Sequence, residues 1–278
     1  MKCIICNGEL DTYVKTSSLD LPVNYCSSCN FYINGDTKDQ VIKKVSNLYK
    51  QDYWNEPGIE SRNSETSINS EYTDTLALGK RRNWISQYAY TKPHINGNTL
   101  LEIGVGAGET IIWFEKEGFD VEGIEPDGRN VSMINNVLQK GKVIESSVEE
   151  FSSNRIFDVI WMSHVLEHLI EPDSFLRKIK KNLKKNSIFF LEVPNCEYEP
   201  MLKSSIEENP HMFHFTKKSL SKLVEKIGYK IVSCDVFRPA TKSEGMRQKI
   251  MKNSFPYYPR IMTDVYSGRD LRIILKNS

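Results

Sequence analysis

At 278 residues the chain is long enough for one large domain and a small appendage, and 39% hydrophobic with 26% charged residues excludes a fibrous or disordered polypeptide. The 37 basic and 36 acidic residues leave a formal net charge of +1, which excludes a global field drawing the protein onto nucleic acid. No apolar run reaches the roughly 20 residues that span a bilayer, and cysteines stand where a signal peptide would have its apolar core, so we expect a cytoplasmic protein with no membrane partner.

The first element is a cysteine module. Cys3 and Cys6 form one Cys-x-x-Cys pair, Cys26 and Cys29 a second, and 19 residues separate the pairs. This is a zinc-ribbon spacing. Each pair can fold into a knuckle aiming both sulfurs at one ion, and four sulfurs complete the tetrahedral shell that Zn²⁺ favours, leaving no open position for chemistry. Two disulfides are the alternative, and they require an oxidising compartment. Cys196 and Cys234 are expected as small apolar residues.

Beyond a module over residues 1–38, Val41, Val45, Leu48 and Tyr49 recur at helical spacing between Asp39 and Tyr53. Residues 55–73 are polar and read as a connector or lid, so 39–73 is expected to be a helical linker segment. Helical periodicity resumes from Asp74 to Tyr90 with Leu76, Leu78, Trp84, Ile85 and Tyr88 as its expected inner residues. Short apolar runs then alternate with helical stretches: Thr99–Ile103, Val121–Ile124, Lys142–Ile144, Phe157–Met162 and Ser187–Val193. That alternation predicts an α/β fold, a mostly parallel sheet covered by helices on both faces. The final third predicts a helix over Lys217–Ile227 between Thr216 and Gly228, strands at Tyr229–Phe237 and Leu271–Leu275, and between them a basic insertion, 238–268. The lysine-rich run from Lys178 to Lys185 is expected to form a solvated helix face.

The first long strand ends in Glu102-Ile-Gly104-Val105-Gly106-Ala-Gly108, a glycine-rich turn that opens a helix. Glycines permit positive φ and close approach of backbone to a ligand. Glu125 follows at the end of the next strand, 17 residues past Gly108, where a carboxylate can accept hydrogen bonds from both hydroxyls of a ribose. A dinucleotide-binding fingerprint would place its third glycine where Glu109 stands.

The fourth strand of the series runs into Ser163-His164-Val165-Leu166-Glu167-His168, and His211-Met-Phe-His214-Phe-Thr216 lies further on. Ligands bind at the carboxyl ends of strands in open α/β sheets, so these polar residues face the site. His164-x-x-Glu167-His168 also spells an inverted zinc-protease motif. Of five histidines, four lie in these two segments and His94 in a loop. A histidine near neutral pKa suits a general base, so Glu167, His168, His211 and His214 are the catalytic candidates, each weighed against a purely packing role.

The Glu-x-Gly-x-Gly-x-Gly turn resembles motif I of class I S-adenosylmethionine (SAM) methyltransferases, and His-Val-Leu-Glu-His, Val193-Pro194-Asn195 and the His-x-x-His-Phe-Thr segment resemble one branch of them, methyltransferase family 23. The resemblance covers about residues 75 to 275 and implies a Rossmann-like seven-stranded sheet over 74–278, beside the zinc ribbon. It implies that Glu102 and Gly104 to Gly108, Val105 among them, surround the methionine part of SAM, with His164 and Ser163 at that end. Glu125 and Pro126 would hold the ribose, Ser147 and Val148 would flank the adenine, and Tyr53 would close over the cofactor. The branch is associated with bacterial small-molecule and surface-polysaccharide pathways, so the expected acceptor is a nucleotide-linked or phosphorylated sugar, or a capsule precursor, methylated on oxygen. Methylation of an RNA base, with the ribbon gripping RNA, and C-methylation of a sugar are the alternatives. A nucleic-acid partner is not expected, because residues 1–36 carry Lys2 and Lys15 against Glu9, Asp11, Asp20 and Asp36. A partner-binding protein with a degenerate cofactor site would have lost these glycines and carboxylates.

Overall fold

The computed structural model describes residues 2–51, 81–207, 210–238, 243, 261–262 and 266–277. Tyr53, the polar stretch 55–73 and most of the 238–268 insertion lie outside the described residues.

The larger sheet is built around β4 (Thr99–Ile103), β5 (Asp120–Glu125), β6 (Lys142–Glu145), β7 (Phe157–Ser163) and β8 (Leu183–Pro194), which run parallel. Strand β12 (Asp270–Asn277) inserts antiparallel between β8 and β10 (Tyr229–Phe237), and the two-residue β11 (Ile261–Met262) pairs on the outer edge of β10. The order is β11-β10-β12-β8-β7-β4-β5-β6. This is the expected seven-stranded, mostly parallel sheet with one short edge strand added. Its central strands are buried on both faces, which is why they read as continuous apolar runs.

Alternate residues of one strand feed two cores. Leu100 joins Trp161, Phe190 and Ile274 under α3 (Glu109–Lys116) and α4 (Gly128–Asn135). Leu101 and Ile103 join the other face under α5 (Pro172–Ile179) and α7 (Lys217–Ile227). Thr216 caps α7 reciprocally with Ser219, and Gly228 ends it at φ +90°, as the sequence predicts.

The cysteine module contributes β1 (Asp11–Val14), β2 (Val23–Cys26) and β3 (Phe31–Asn34), an antiparallel meander followed by α1 (Lys38–Gln51). Its fourth strand comes from far along the chain. β9 (Phe213–His214) pairs with β3, Tyr32 opposite His214 and Ile33 opposite Phe213. Phe31 stacks on Phe213 with ring centroids 5.7 Å apart and lies 5.2 Å from Phe215, and Cys3, Cys26 and Cys29 share one apolar core with β4, β7 and α7. Burying such rings stabilises by about 2 kcal/mol each, so the module is held to the histidine segment by packing as well as by ladder bonds.

Of the expected inner residues of the next helix, Leu76, Leu78 and the side chains of Trp84 and Ile85 lie outside the described residues, and Tyr88 packs against the core of Leu100 and Trp161. In α2 (Arg81–Thr91) the residues turned inward include Ser86, Gln87 and Thr91, while Tyr88 packs half-buried on Trp113 and Phe114. The reason lies beneath the helix: Glu192 and Arg272, both fully buried, need polar partners, and Gln87 and Ser86 supply them. The Lys178–Lys185 run is no single helix face, because α5 ends at Ile179 and β8 starts at Leu183. Lys178 and Lys180 donate to the Glu149 and Gly228 carbonyls, and Lys184 pairs with Asp158. His94 sits in a 3-10 turn, Lys92–His94, set by Pro93. Among the described residues no helix is long and apolar enough to cross a membrane.

Candidate active site

Strand order reverses at β4, which has β5 on one side and β7 on the other. The carboxyl ends of these three strands form the crevice where such sheets bind ligands, and the candidate residues of the two motifs gather there.

On the β4 side the chain turns through Gly104, Gly106 and Gly108 at φ +72°, +56° and +84°. Gly104 and Val105 donate to the Ile124 carbonyl at 2.9 and 3.2 Å, tying the turn to β5. A Cβ at Gly104 would stand 2.4 Å from Val165 Cγ2, so the turn packs directly on the histidine motif. A Cβ at Gly106 would meet nothing within 4 Å, which marks the open wall of the crevice. Val105 turns its side chain into the core beside Gly123, leaving only its backbone for a ligand.

Glu125 ends β5 facing this turn. Its carboxylate accepts from Gly106 N at 2.8 Å and Asp127 N at 3.1 Å, and burial raises its pKa from 4.5 to about 7 against those two bonds. Pro126 is exposed beside it. The Ser146 amide donates to the Glu125 carbonyl at 3.1 Å, bringing Ser147 and the half-buried Val148 to the same end of the sheet. Glu102 is buried with Oε2 unpartnered; burial first, then Glu109 and Glu125, hold its carboxyl well above the usual range. An unpartnered buried carboxylate oxygen is satisfied by a donor, preferably a cation. A buried carboxyl whose ionisation an ammonium would restore, a second carboxyl for a pair of hydroxyls and an open glycine wall between them together fit SAM.

On the β7 side His164 adopts φ +54°, with its amide bonded to the Glu192 carbonyl at 2.9 Å. Its ring lies between carboxylates, Nδ1 3.4 Å from Glu167 and Nε2 3.2 Å from Glu192, with 41% of the side chain exposed to the crevice. Burial opposes its charge, but the two carboxylates win and raise its pKa well above 6.5. The two carboxylates thus favour the charged ring, a form with no lone pair to act as a base. Ser163 donates to Glu192 at 3.0 Å and accepts from Gln87.

Glu167, His168 and His211 meet behind it. One ligand-type atom from each lies within 4.8 Å of the others, and the His168 and His211 rings sit edge to face at 4.6 Å. Burial would push Glu167 up, but His164, His168 and His211 hold it below its usual value, so the carboxylate is ionised. Burial lowers His168, and takes His211 to about 4 and His214 to about 3, so all three rings are neutral. Glu167 Oε1 has only the His164 ion pair at 3.4 Å, and Glu167 Oε2 and His168 Nδ1 are buried without hydrogen-bond partners, which marks where a reacting group or an ion would be held. His214 has no exposure; it lies behind His211, with Ser205 Oγ 2.7 Å from the Nδ1 of each ring. It cannot touch an acceptor.

The sequence missed Glu192, Arg272, Gln87, Ser205 and Asn34. A glutamate inside the run Ile188-Phe-Phe-Leu-Glu192-Val was a usable signal for the first. Small polar residues such as Ser205 and Asn34 carry none.

The second group of ligand atoms is Cys3, Cys6, Cys26 and Cys29, with all four sulfurs within 4.8 Å of one another and Cys6 Sγ 3.6 Å from Cys26 Sγ. All are free thiols. Asn7 and Asn30, each directly after a Cys-x-x-Cys pair, take φ +59° and +52°, which folds each pair back as a knuckle. Burial pushes the Cys3 and Cys29 thiols up, while the Gly8 amide holds Cys6 at about 7. Such a shell ionises fully only around a cation.

The family model described as a methyltransferase domain matches residues 77–234, more than half of the chain. An uncharacterised protein of Mycobacterium tuberculosis is 30% identical over 129 residues, 43% of this chain and 43% of that protein. The ubiquinone biosynthesis O-methyltransferase of Rickettsia akari is 23% identical over 111 residues, 38% of this chain and 44% of the enzyme, so the matched region spans less than half the length of these relatives. Among solved structures, the plantazolicin methyltransferase BpumL in complex with SAH aligns with a TM-score of 0.52 at 17% identity, over 86% of this chain and 99% of that one, a likeness of fold. With its strand order, its glycine turn and this match in agreement, the chain belongs to the methyltransferase-domain family.

Proposed function

We propose that the protein transfers a methyl group from SAM to a hydroxyl oxygen of a small acceptor, an activated sugar or capsule precursor. One observation carries the reading: a carboxylate-and-glycine cradle at the ends of β4 and β5 touches, through Gly104 and Val165, a cluster of neutral histidines and an ionised carboxylate at the end of β7. Glu102 would take the ammonium of SAM, His164 its carboxylate, Glu125 the ribose hydroxyls, and the chain around Pro126, Ser147 and Val148 the adenine. Bound there, SAM supplies a sulfonium-activated methyl group. His168 takes the hydroxyl proton on Nδ1, and Glu167 stabilises the imidazolium that results. The remaining requirement is in-line positioning of the acceptor oxygen and the methyl group at near-contact distance.

Four converging thiols with two knuckles support structural Zn²⁺ at Cys3, Cys6, Cys26 and Cys29, and a reducing, cytoplasmic setting belongs to the same proposal. A phenolic acceptor is a second reading, favoured by the ubiquinone biosynthesis O-methyltransferases among the relatives.

The cradle has a pH signature. Ribose hydroxyls donate to Glu125, so binding needs the carboxylate, and a group titrating at about 7 gives full affinity above that pH and a tenfold loss per unit below it. Calorimetric titration should show SAM binding about tenfold weaker at pH 6 than at pH 8. A pH-independent affinity would remove Glu125 from the ribose; no binding at either pH would remove SAM.

A further inference from the structure

Asn34 ends β3 in the cysteine module, and its side chain reaches into the histidine cluster of the larger sheet. The amide nitrogen donates to the His211 carbonyl and lies 3.5 Å from His214 Nε2. An amide nitrogen offers hydrogens and no lone pair, so the ring nitrogen facing it is the unprotonated one. Turning the amide over would set its oxygen against the His211 carbonyl oxygen, acceptor against acceptor. His214, neutral, therefore carries its hydrogen on Nδ1 and donates to Ser205 Oγ at 2.7 Å. The single Ser205 hydrogen then goes to His211 Nδ1, also at 2.7 Å. His211 is left with its hydrogen on Nε2.

His168 has the opposite polarity. Its ring bonds to the backbone at Pro210, and since Nδ1 has no partner, Nε2–H makes that bond and Nδ1 keeps the lone pair. The two rings meet edge to face at 4.6 Å, and one ligand-type atom of each lies within 4.8 Å of the other and of a Glu167 carboxylate oxygen, which brings a ring donor and a ring acceptor into one cluster.

We propose that Asn34 is a positioning residue that, through His214 and Ser205, fixes the ring hydrogen of His211 on Nε2, so that His211 and His168 form a two-point site for one hydroxyl group. The inference rests on the methyltransferase reading and narrows its acceptor to alcohols and phenols. The hydroxyl oxygen receives the His211 Nε2–H, and the hydroxyl hydrogen points at His168 Nδ1. As the O–CH3 bond forms and the S–CH3 bond breaks, the O–H proton moves to His168 Nδ1 and the bonding pair of the sulfonium returns to sulfur. In a carbon acid the atom that loses its proton has no lone pair to receive the His211 bond, so one atom cannot make both contacts. A metal ion on Glu167, His168 and His211 would require the reverse chain, with the lone pair on His211 Nε2.

Long-range ¹H–¹⁵N correlation spectra of the full chain with ¹⁵N-labelled histidine read the ring hydrogens directly. We expect His214 as the Nδ1–H form and His211 as the Nε2–H form. Asn34→Asp replaces the donor by an acceptor, so both rings should reverse and kcat should fall about 100-fold while SAM affinity is unchanged. Ser205→Ala, which cuts the chain without touching the module, should release His211 alone into a mixture of forms. His211 as Nδ1–H in the wild type, unchanged spectra in Asn34→Asp, or one equivalent of added Zn²⁺ or Mg²⁺ seated on the cluster would overturn the relay. The expected wild-type spectrum in a protein that binds no SAM would support the relay and refute the methyltransferase reading.

Discussion

Replacing Glu125 with alanine should weaken SAM binding about 100-fold. The carboxylate stands at the end of β5 with one oxygen on Gly106 N and the other on Asp127 N, so its position is set by the backbone on both sides. Each oxygen retains a lone pair for a ribose hydroxyl, and hydrogen bonds to a charged group contribute about 1.5 kcal/mol each. Two lost bonds correspond to the stated factor. The change should not act by unfolding. The folded pKa of Glu125, about 7, lies above the ordinary 4.5, so its ionisation costs stability as pH rises through that window. Alanine removes this cost, and the Tm at pH 8 should not fall. Glu125→Gln, which keeps an acceptor oxygen without the charge, should lie between wild type and alanine. Calorimetry with thermal unfolding on the same samples separates the two effects; equal affinity in Glu125→Ala would mean that the ribose is held elsewhere.

Cys26→Ser should lower stability by about 3 kcal/mol, about 6 to 12 °C in Tm, and abolish methyl transfer. Cys26 ends β2, is buried, and its sulfur is one of the four that converge. Serine is a poor zinc ligand, so under the zinc proposal the variant loses the metal's share of the folding energy and keeps only the apolar contacts of Ile5, Leu21, Phe31 and Ile33. Once β3 loosens, the β3–β9 ladder, the Phe31–Phe213 stack and the Asn34 contact go with it. Metal analysis should find one zinc per chain in the wild type and a substoichiometric amount in the variant. Cys234→Ser, outside the shell and half-buried on β10, should retain both metal and activity. A Cys26→Ser protein with wild-type Tm and full activity would reduce the module to an appendage.

Legibility followed the range of the interactions. The strand–glycine turn–helix unit, Glu125 and both ends of α7 were readable because each is a local device: positive φ at glycine, a carboxylate at a strand end, a Thr216 cap. The polar residues Ser86 and Gln87 on α2 were not, because their partners Arg272 and Glu192 lie about a hundred or more positions away. β9 is two residues long and has no period to detect, and its partner β3 lies about 180 positions earlier. That pairing makes the module part of the histidine cluster's wall, a role that its cysteine spacing does not express. The acceptor is the least legible feature, since the proposed hydroxyl would be recognised by where a few ring hydrogens sit.

The central claim is methyl transfer from SAM to a hydroxyl, and transfer of a labelled methyl group tests it most directly. The purified full chain should be incubated with methyl-labelled SAM and a panel of nucleotide sugars, phenols and unmodified ribosomal RNA, with the labelled carbon located by NMR. The account predicts label in a small molecule, as an O-methyl group, and its loss in His168→Ala, in which the Nδ1 lone pair at the end of β7 is gone. Label confined to RNA, or appearing on carbon or nitrogen, would contradict it.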